Sequence, residues 1–600
     1  MRQKTKMSEE DLYIVTTSEP ETVPDLSNKI VYLGDWCLEE SQKSFDKNLT
    51  NKILSYHWDN RKKLLDDYTR LSETYENLLI DLSDVLNTYH QVQKSVKYWR
   101  ILIGPWLLMY LHVFYDRYES IKNAFDQFKI NKVIFLKHGH NDFIPNDMLD
   151  FSNDAISDLW NEHLCQKIIS HLFSAHISVK YVKKLSKNKK NDEIKVNSFK
   201  QKAKLFFSGT LNKFFNSSQD KVFLYKPGVK FWIIARSQFH LGQFPRFTKK
   251  IKIPKFTVNS QLRELFSKLS AKKHYETVFE QIAFNLIPHF FPLTYLEGYK
   301  DFLKVILSEN LPKNPNVICT STSFQDDDGF KLYTAEMLEK GGRLITTQHG
   351  GHNGMTPFAP GEDHAIAISD KFLSWGWSDI QRPNVKPLGN IRYAGDRMTH
   401  NSNGPALLLT FDTTRYAYHM ITLPLSSQWL YYFEYQKKFL RALPPKIRRN
   451  VLLRIKKAEF GWSVFERLKD FMPELSTEHA NQHIRKSVRK SRIYICTYNA
   501  TTFIEAINWN IPTLIFWDPV YFEVIDEVAE YLEKFKALGI FHTNPQSAAD
   551  KLTEIWNNID EWWFSDVVQK LRKEFLNNYS KPVDKPSIRF YEELKDLCKK

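Results

Sequence analysis

The stretch RIYICTYNATTFIEAINWNIPTLIFWDP, residues 492–519, decides the fold of this chain. Its first residues, RIYIC, form the short apolar run of a buried strand. FIEAINWN has helical composition, and PTLIFW reads as a second strand after Pro512. Two strands joined through a helix make a βαβ unit, in which the strands run parallel. The stretch therefore predicts a parallel sheet covered by helices.

Similar short apolar runs recur along the chain, usually separated by segments with helical spacing. Together with the opening stretch they predict a mixed α/β protein with doubly wound parallel sheets. No phosphate-loop motif, dinucleotide fingerprint or HExxH zinc motif is present. The predicted strands are KIVYLGDW, KVIFLKHG, NVICTST, RLITTQHG, ALLLTF, RIYICTYN and PTLIFWD.

Composition limits the class of protein. The chain has 600 residues with 42% hydrophobic content, which predicts roughly two to four domains. Its 84 Lys and Arg residues against 69 Asp and Glu residues give a net charge of +15, which favours anionic partners. The five cysteines form no CxxC pair, and the N-terminus lacks the apolar core of a signal peptide. These features predict a cytoplasmic protein without a disulfide framework.

Two unusual segments require separate interpretation. YWRILIGPWLLMYLHVFY, residues 98–115, is barely long enough to span a membrane and contains Arg100, His112 and an internal Gly104-Pro105 pair. It therefore predicts a buried helix pair or a kinked core helix. The basic run at about 181–205 predicts a solvated insertion, with docking to anionic lipid as the alternative.

Polar residues follow the strand at the start of the decisive stretch. Asn499, Thr501 and Thr502 stand at the N-terminus of the predicted helix, where free backbone N–H groups and the helix dipole suit a phosphate. Glu505 lies about one turn further on and suits the hydroxyls of a ribose. The alternative is structural, with a threonine capping the helix and Glu505 completing a capping box.

A second polar segment, TTQHGGHNGM at residues 346–355, follows another predicted strand. Its glycines permit positive φ and a close approach of the backbone to a ligand, and its histidines change charge near neutral pH. An ordinary polar turn leaving a strand is the alternative interpretation.

These two segments carry a resemblance to known enzymes. The Ser/Thr pair followed by xxEAxxxxxP and an apolar strand is similar to the donor-nucleotide half of GT-B glycosyltransferases, which have two facing Rossmann-like domains. The order of QHGGHNG before this half also resembles the CDP-glycerol glycerophosphotransferase branch. The resemblance implies a GT-B-like fold with extra N-terminal helices and a cleft between His349 and Thr501.

A closer resemblance extends over almost the whole chain. The chain resembles a transferase family found in bacterial surface-carbohydrate and O-antigen gene clusters and first noted in Leptospira. His352 and Asn353 stand where an aromatic residue is more usual in that family. The motifs that carry the resemblance occur in the expected order: VYLGDWC, YWRILIGPWL with Asp116-Arg117 behind it, FFPLTYLEGY, QHGG, SWGW and YNATTFIEA.

The resemblance implies a set of site residues. His349 is the first candidate for the base, because an imidazole titrates near working pH. Three carboxylates are the other candidates, and each also suits a structural role: Asp35, Glu39 and Glu297. The residues expected to bind the donor are Gln348, Gly350, Gly351, Arg415, Arg454, Asn499, Thr501, Thr502 and Glu505. Either arginine also suits an ordinary surface ion pair.

The resulting hypothesis is a metal-independent glycosyltransferase with a nucleotide-sugar co-substrate and no other cofactor. The resemblance implies an acceptor-side domain at 1–400, a donor domain at 401–565 and a C-terminal helix at 566–600 that crosses back. The acceptor is expected to be a lipid-linked or polysaccharide surface intermediate, with peripheral contact at the inner membrane. The alternatives are a polyol-phosphate transferase with a CDP-linked donor and a non-catalytic protein that binds an anionic ligand or nucleic acid. No specific nucleic acid is expected, because the chain has no recognition motif.

Overall fold

Parallel β-sheets organise the protein. The computed structural model describes residues 11–38, 52–139, 141–184, 220–245, 250–270, 275, 277–455, 460–480 and 483–598. Glu39 and residues 185–205 of the predicted basic insertion lie outside the described residues. The described strands form three sheets, called A, B and C in chain order, and every strand pair in them is parallel.

The three sheets follow one another along the sequence. Sheet A, with strand order β3-β2-β1-β4-β5, contains β1 Leu12–Val15, β2 Lys29–Tyr32, β3 Lys52–Ile53, β4 Lys132–Leu136 and β5 Ser178–Val182. Sheet B, with order β10-β9-β8-β7-β6, contains β6 Val222–Leu224, β7 Val317–Thr320, β8 Arg343–Thr347, β9 Lys371–Ser374 and β10 Val385–Pro387. Sheet C, with order β13-β12-β11-β14-β15-β16, contains β11 Ala406–Leu409, β12 Val451–Ile455, β13 Ser476–His479, β14 Ile493–Cys496, β15 Thr513–Phe516 and β16 Phe541–His542.

Sheet C has the strand order of a dinucleotide-binding fold. Its chain reverses direction across the sheet between β11 and β14, and ligands of such sheets bind at the carboxyl ends of the strands at this point. All seven apolar runs predicted as strands are strands. The prediction of a GT-B-like α/β fold is therefore confirmed, and the structure adds one sheet to the expected pair, because residues 12–387 contain both A and B.

Helices cover the sheets on both sides. The N-terminal half contains Arg61–His90, Val96–Gln127, Met148–Asp154, Asp158–Leu172, Phe231–His240, Ser260–Ser270, Val278–Phe290, Tyr299–Ser308, Ser323–Asp326, Asp328–Glu339 and Pro360–Ile368. The remainder contains Gln428–Ala442, Pro445–Arg448, Val464–Phe471, Ile484–Lys490, Thr501–Asn508, Asp526–Ala537, Pro545–Ile555, Ile559–Trp563, Asp566–Tyr579 and Pro586–Cys598.

The apolar segment at 98–115 lies within one long helix, Val96–Gln127, with Pro105 in its interior. Most of its residues are buried, so the prediction of a buried core helix is confirmed. In the described part of the chain, no helix is both long and apolar enough to cross a membrane.

The last helix connects the end of the chain to sheet B. In Pro586–Cys598, the side chains of Phe590, Leu594 and Leu597 pack in a core cluster with residues of β6, β7 and β8. Lys371 on β9 adds an ion pair to Glu593, with 2.8 Å between Nζ and Oε2. The C-terminal segment thus leaves sheet C and returns to sheet B.

Candidate active site

The two polar segments singled out in the sequence touch each other. One follows β8 at the carboxyl edge of sheet B, and the other follows β14 at the carboxyl edge of sheet C. The Gly351 backbone N–H donates a hydrogen bond to Thr501 Oγ1 at 3.1 Å. A Cβ atom placed on Gly351 would lie 2.8 Å from Thr501 Cα, so only glycine permits this approach. The contact joins the edges of the two sheets at one cleft.

Gln348 fixes the shape of the loop after β8. Its Nε2 donates to the carbonyl of Gly350 at 2.7 Å, and its Oε1 accepts from the backbone of Trp375 at 2.7 Å and from Trp377 Nε1 at 2.9 Å. The side chain is buried with all these bonds directed into the protein. Gln348 therefore stabilises the loop through hydrogen bonds within the protein. Direct contact with the donor had been expected from the sequence.

His349 lines a cavity of about 270 Å³ beside this loop. Burial and the neighbouring Arg392 lower the pKa of His349 below its usual value near 6.5, so the imidazole is neutral at pH 7. His352 and His419 line the same cavity, and burial lowers the pKa of each to about 4. A neutral imidazole can accept a proton, which is the property that a catalytic base requires.

Glu362 is the one carboxylate among the described residues that line this cavity. It lies at the start of helix Pro360–Ile368 and is 6% exposed. Its Oε2 accepts from the backbone N–H of Gly354 at 2.7 Å, and its Oε1 lies 3.2 Å from Arg382 Nη2. Burial raises the pKa of Glu362 to about 7. Glu362 could not be singled out from the sequence, because proline followed by acidic residues is an ordinary helix start.

Glu362→Gln is expected to change how the stability of the protein depends on pH. In the unfolded chain the carboxyl group titrates near 4.5, and in the folded protein near 7. Between these values the folded state binds the proton and the unfolded state does not, so this group makes wild-type stability fall as pH rises. Glutamine removes that loss, so the melting temperature of the variant should rise relative to wild type from pH 5 to pH 8. A constant difference across that range would contradict the raised pKa.

The helix Thr501–Asn508 lies against the loop after β8. Its N-cap residue is Ala500, which makes no side-chain capping bond. Neither Thr501 nor Thr502 is therefore the N-cap that the structural alternative required. Thr501 accepts from Gly351, and Thr502 Oγ1 accepts from Cys496 Sγ at 3.3 Å. Glu505 accepts from Tyr393 Oη at 2.5 Å, and burial raises its pKa.

Asn499 is buried at the carboxyl end of β14. Neither Oδ1 nor Nδ2 of its amide has a hydrogen-bond partner among the described residues. A buried amide without partners is costly, so groups of this kind usually mark a place where a ligand or water supplies the missing bonds. Its position at the strand end where the sheet order reverses fits a ligand of sheet C.

Two arginines near the helix Thr501–Asn508 were not predicted from the sequence as site residues. Arg392 Nη1 donates to the backbone carbonyl of His349 at 2.9 Å. Arg485 is paired with Asp396, with 3.1 Å between Nη1 and Oδ1. Burial raises the pKa of Glu505, and the positive charges of Arg392 and Arg485 oppose that rise by a smaller amount. Both guanidinium groups are therefore close to the first turns of this helix. The two arginines thus place positive charge beside Glu505.

The two arginines that the sequence did propose are engaged in ion pairs. Arg415 Nη2 lies 2.6 Å from Asp158 Oδ2 and donates to Ser18 Oγ at 2.9 Å, beside the carboxyl edge of sheet A. Arg454 is paired with Glu478. Arg415 therefore connects the start of the C-terminal part with sheet A, and the donor role expected for it is not supported by its contacts.

Asp35 and Glu297, two of the three carboxylates proposed as bases, are not among the described residues that line the His349 cavity, and Glu39 lies outside the described residues. Both oxygens of Glu297 accept from Arg263, at 2.7 and 2.9 Å, in a buried ion pair. Asp35 is half-buried in the short turn Asp35–Cys37, where its charge helps to raise the pKa of Asp59. Both positions are consistent with the structural alternative.

Comparison with known proteins identifies the family. The profile of the LIC12162 family of transferases matches residues 12–594. The chain belongs to the LIC12162 family of transferases. The resemblance seen in the sequence is thus confirmed. No curated protein matches the chain.

The LIC12162-family chain is also similar to solved glycosyltransferases, at low sequence identity. A glycosyltransferase from Rickettsia africae ESF-5 has 12% identity and a TM-score of 0.32, over 64% of this chain and 99% of that one. MurG of Acinetobacter baumannii has 9% identity and a TM-score of 0.30, over 63% and 99%. The pneumococcal O-GlcNAc transferase GtfA, solved with UDP and GlcNAc, has 12% identity and a TM-score of 0.32, over 50% and 59%. At these scores the similarity supports no argument about the site.

Among the residues that the structure describes, no three His, Cys, Asp or Glu side chains are grouped to hold a metal ion. The metal independence expected from the resemblance stays a prediction. The described residues place a neutral imidazole on the loop after β8, and a helix N-terminus with two nearby arginines beside that loop.

Proposed function

We propose that this transferase moves a glycosyl group from a nucleotide-activated sugar to the hydroxyl group of an acceptor. The observation that supports the proposal is the contact between Gly351 and Thr501, which brings the loop that carries His349 against the N-terminus of helix Thr501–Asn508. Glycosyl transfer needs a base for the acceptor and a positive environment for the departing phosphate, and the loop and the helix provide one each.

In this proposal the donor binds at the carboxyl edge of sheet C. The diphosphate lies at the N-terminus of helix Thr501–Asn508, where free backbone N–H groups and the helix dipole favour an anion. The Asn499 amide, which has no hydrogen-bond partner among the described residues, makes hydrogen bonds to the donor. Glu505, which accepts from Tyr393, has a second carboxylate oxygen for a ribose hydroxyl.

The transfer itself uses both the loop and the helix. His349 accepts the proton of the acceptor hydroxyl as the oxygen forms its bond to the anomeric carbon. The bond from that carbon to the donor phosphate breaks, and its electron pair leaves with the nucleoside diphosphate. Arg392 and Arg485 lie where they stabilise the developing negative charge. We further propose a surface-polysaccharide intermediate, lipid-linked or free, as the acceptor, reached at the inner face of the membrane.

The first test is a panel of donors measured by thermal unfolding. UDP-, GDP-, dTDP-, ADP- and CMP-linked sugars are added to the purified protein, with CDP-glycerol as the representative of polyol-phosphate donors. A ligand at 100 times its Kd stabilises the folded state by about 2.7 kcal/mol, so the correct nucleotide should raise the melting temperature clearly. Stabilisation by CDP-glycerol alone would favour polyol-phosphate transfer, and stabilisation by none of the panel would contradict the proposal.

Replacing Thr501 and Thr502 together by valine is expected to weaken donor binding by about 1–3 kcal/mol, because two hydroxyl groups at the phosphate site are lost. Thr501 also accepts from Gly351, so the loop loses a contact as well. Calorimetry with the donor that stabilises wild type measures the effect, and Glu505→Gln should act in the same direction through the ribose. Thr553→Val, on a distant helix, is the control. Unchanged affinity in the double variant would leave both threonines structural.

A further inference from the structure

A second cavity, of about 280 Å³, lies between the helices Val96–Gln127 and Pro360–Ile368. Its three exposed lining residues, Gln325, Asp326 and Gly361, lie at the solvent side. The helix Val96–Gln127 contributes Pro105, Leu108 and Met109 to the cavity wall. The apolar residues that line the cavity are Pro105, Leu108, Met109, Met148 and Phe324.

This apolar cavity adjoins the cavity that contains His349. The two share lining residues from helix Ser323–Asp326, from the start of helix Pro360–Ile368 and from the segment after β11. Ligand sites in proteins typically occupy about 300–1,000 Å³, a range that the two adjoining cavities reach only together. The shared residues are Phe324, Gln325, Pro360, Gly361, Tyr418 and His419.

One buried polar group lines the apolar cavity. His364 is 7% exposed, and its Nε2 has no hydrogen-bond partner among the described residues. A Cβ atom on Gly104 would lie 2.9 Å from His364 Cε1 and 2.6 Å from Tyr75 Oη, so the glycine makes room for both rings. Proline inside a helix removes a backbone hydrogen bond, and here Pro105 forms part of the cavity wall. The Gly104-Pro105 pair thus shapes this cavity.

We propose that the acceptor has an apolar group beside its reactive hydroxyl, and that this group binds in the cavity lined by Leu108, Met109 and Phe324. The inference rests on the proposed function, since it assigns the hydroxyl end of the same molecule to the His349 cavity. His364 offers a single hydrogen bond to a polar atom of the bound group. The apolar lining provides the affinity, because binding removes apolar surface from water.

The test uses n-alkyl β-D-glucosides with hexyl, octyl and decyl chains, each kept below its micelle-forming concentration. Isothermal titration of the full-length protein without donor measures their affinities. Burial of each added methylene should tighten binding about three- to four-fold until the cavity is filled. No sugar transfer is involved, so a failure of this inference is distinct from a failure of the proposed function.

Two variants locate the binding. Ser152 lines the apolar cavity and does not line the His349 cavity. Ser152→Phe should fill the space and remove the dependence on chain length, whereas Ser152→Ala, the matched control, should keep it. Leu108→Ser should lower the affinity for decyl glucoside at least ten-fold, and it adds no bulk to the cavity. Melting temperature and stabilisation by the donor nucleotide report whether each variant is folded.

Two results would overturn the inference. Equal affinities for hexyl and decyl glucoside would mean that the cavity takes no apolar chain. A chain-length dependence that persists unchanged in folded Ser152→Phe and Leu108→Ser would place the apolar binding elsewhere on the protein.

Discussion

Replacing His349 by alanine is expected to lower kcat by about 10²–10⁴-fold, the usual loss for a general base. Donor affinity and melting temperature should stay close to wild type, because the contact that joins the loop to the helix runs through the backbone of Gly351 and not through the imidazole. Steady-state kinetics with the donor and acceptor found by screening measure the loss. Wild-type kcat/KM should fall on the acid side at a pH below 6.5, since the pKa of His349 is lowered.

His352→Ala is the matched control for this experiment. His352 lines the same cavity three residues further along the chain, and burial also keeps it neutral. Its removal should lower kcat much less, since the proposed proton transfer uses His349. If His349→Ala retained more than about a tenth of wild-type kcat, the base would have to be another group. Glu362 would then be the first candidate, because it lines the cavity and its pKa is about 7.

Seven of the sixteen described strands were predicted, because a buried parallel strand has a continuous apolar run, as in ALLL at β11 and IYIC at β14. The division of residues 12–387 into two sheets, A and B, could not be predicted. Apolar runs show that strands are buried, but they do not show which strands pair. β6, for example, pairs with β7, although more than ninety residues separate them in the sequence.

The candidate site was predictable in part for a similar physical reason. His349, Gly351 and Thr501 follow strands, and the carboxyl ends of parallel strands are where ligands bind. The ion pair of Arg415 could not be predicted, because its partner, Asp158, lies 257 residues away in the sequence. Glu362 was missed because its unusual pKa arises from burial, which no local pattern reveals. Residues whose role depends on distant neighbours require the structure.

Arg392→Met is expected to lower kcat/KM by about 10²–10³-fold, the usual cost of removing one group that stabilises a developing charge. The Arg392 guanidinium donates to the backbone of His349 and lowers the pKa of Glu505, so it connects the base to the proposed donor site. Affinity for the nucleoside diphosphate product should weaken as well, and calorimetry measures it. Arg392→Lys should recover part of the loss, because lysine keeps the charge but not the planar donor geometry.

The control for this prediction is Arg397→Met, at an exposed position five residues further along the same segment. Both substitutions remove one positive charge, so a general effect of net charge on an anionic donor should appear equally in both. An effect of the site should appear only in Arg392→Met. If the two variants lost activity to the same extent, the positive charge of Arg392 would act only at long range, and Arg485 would be left as the arginine that stabilises the departing diphosphate.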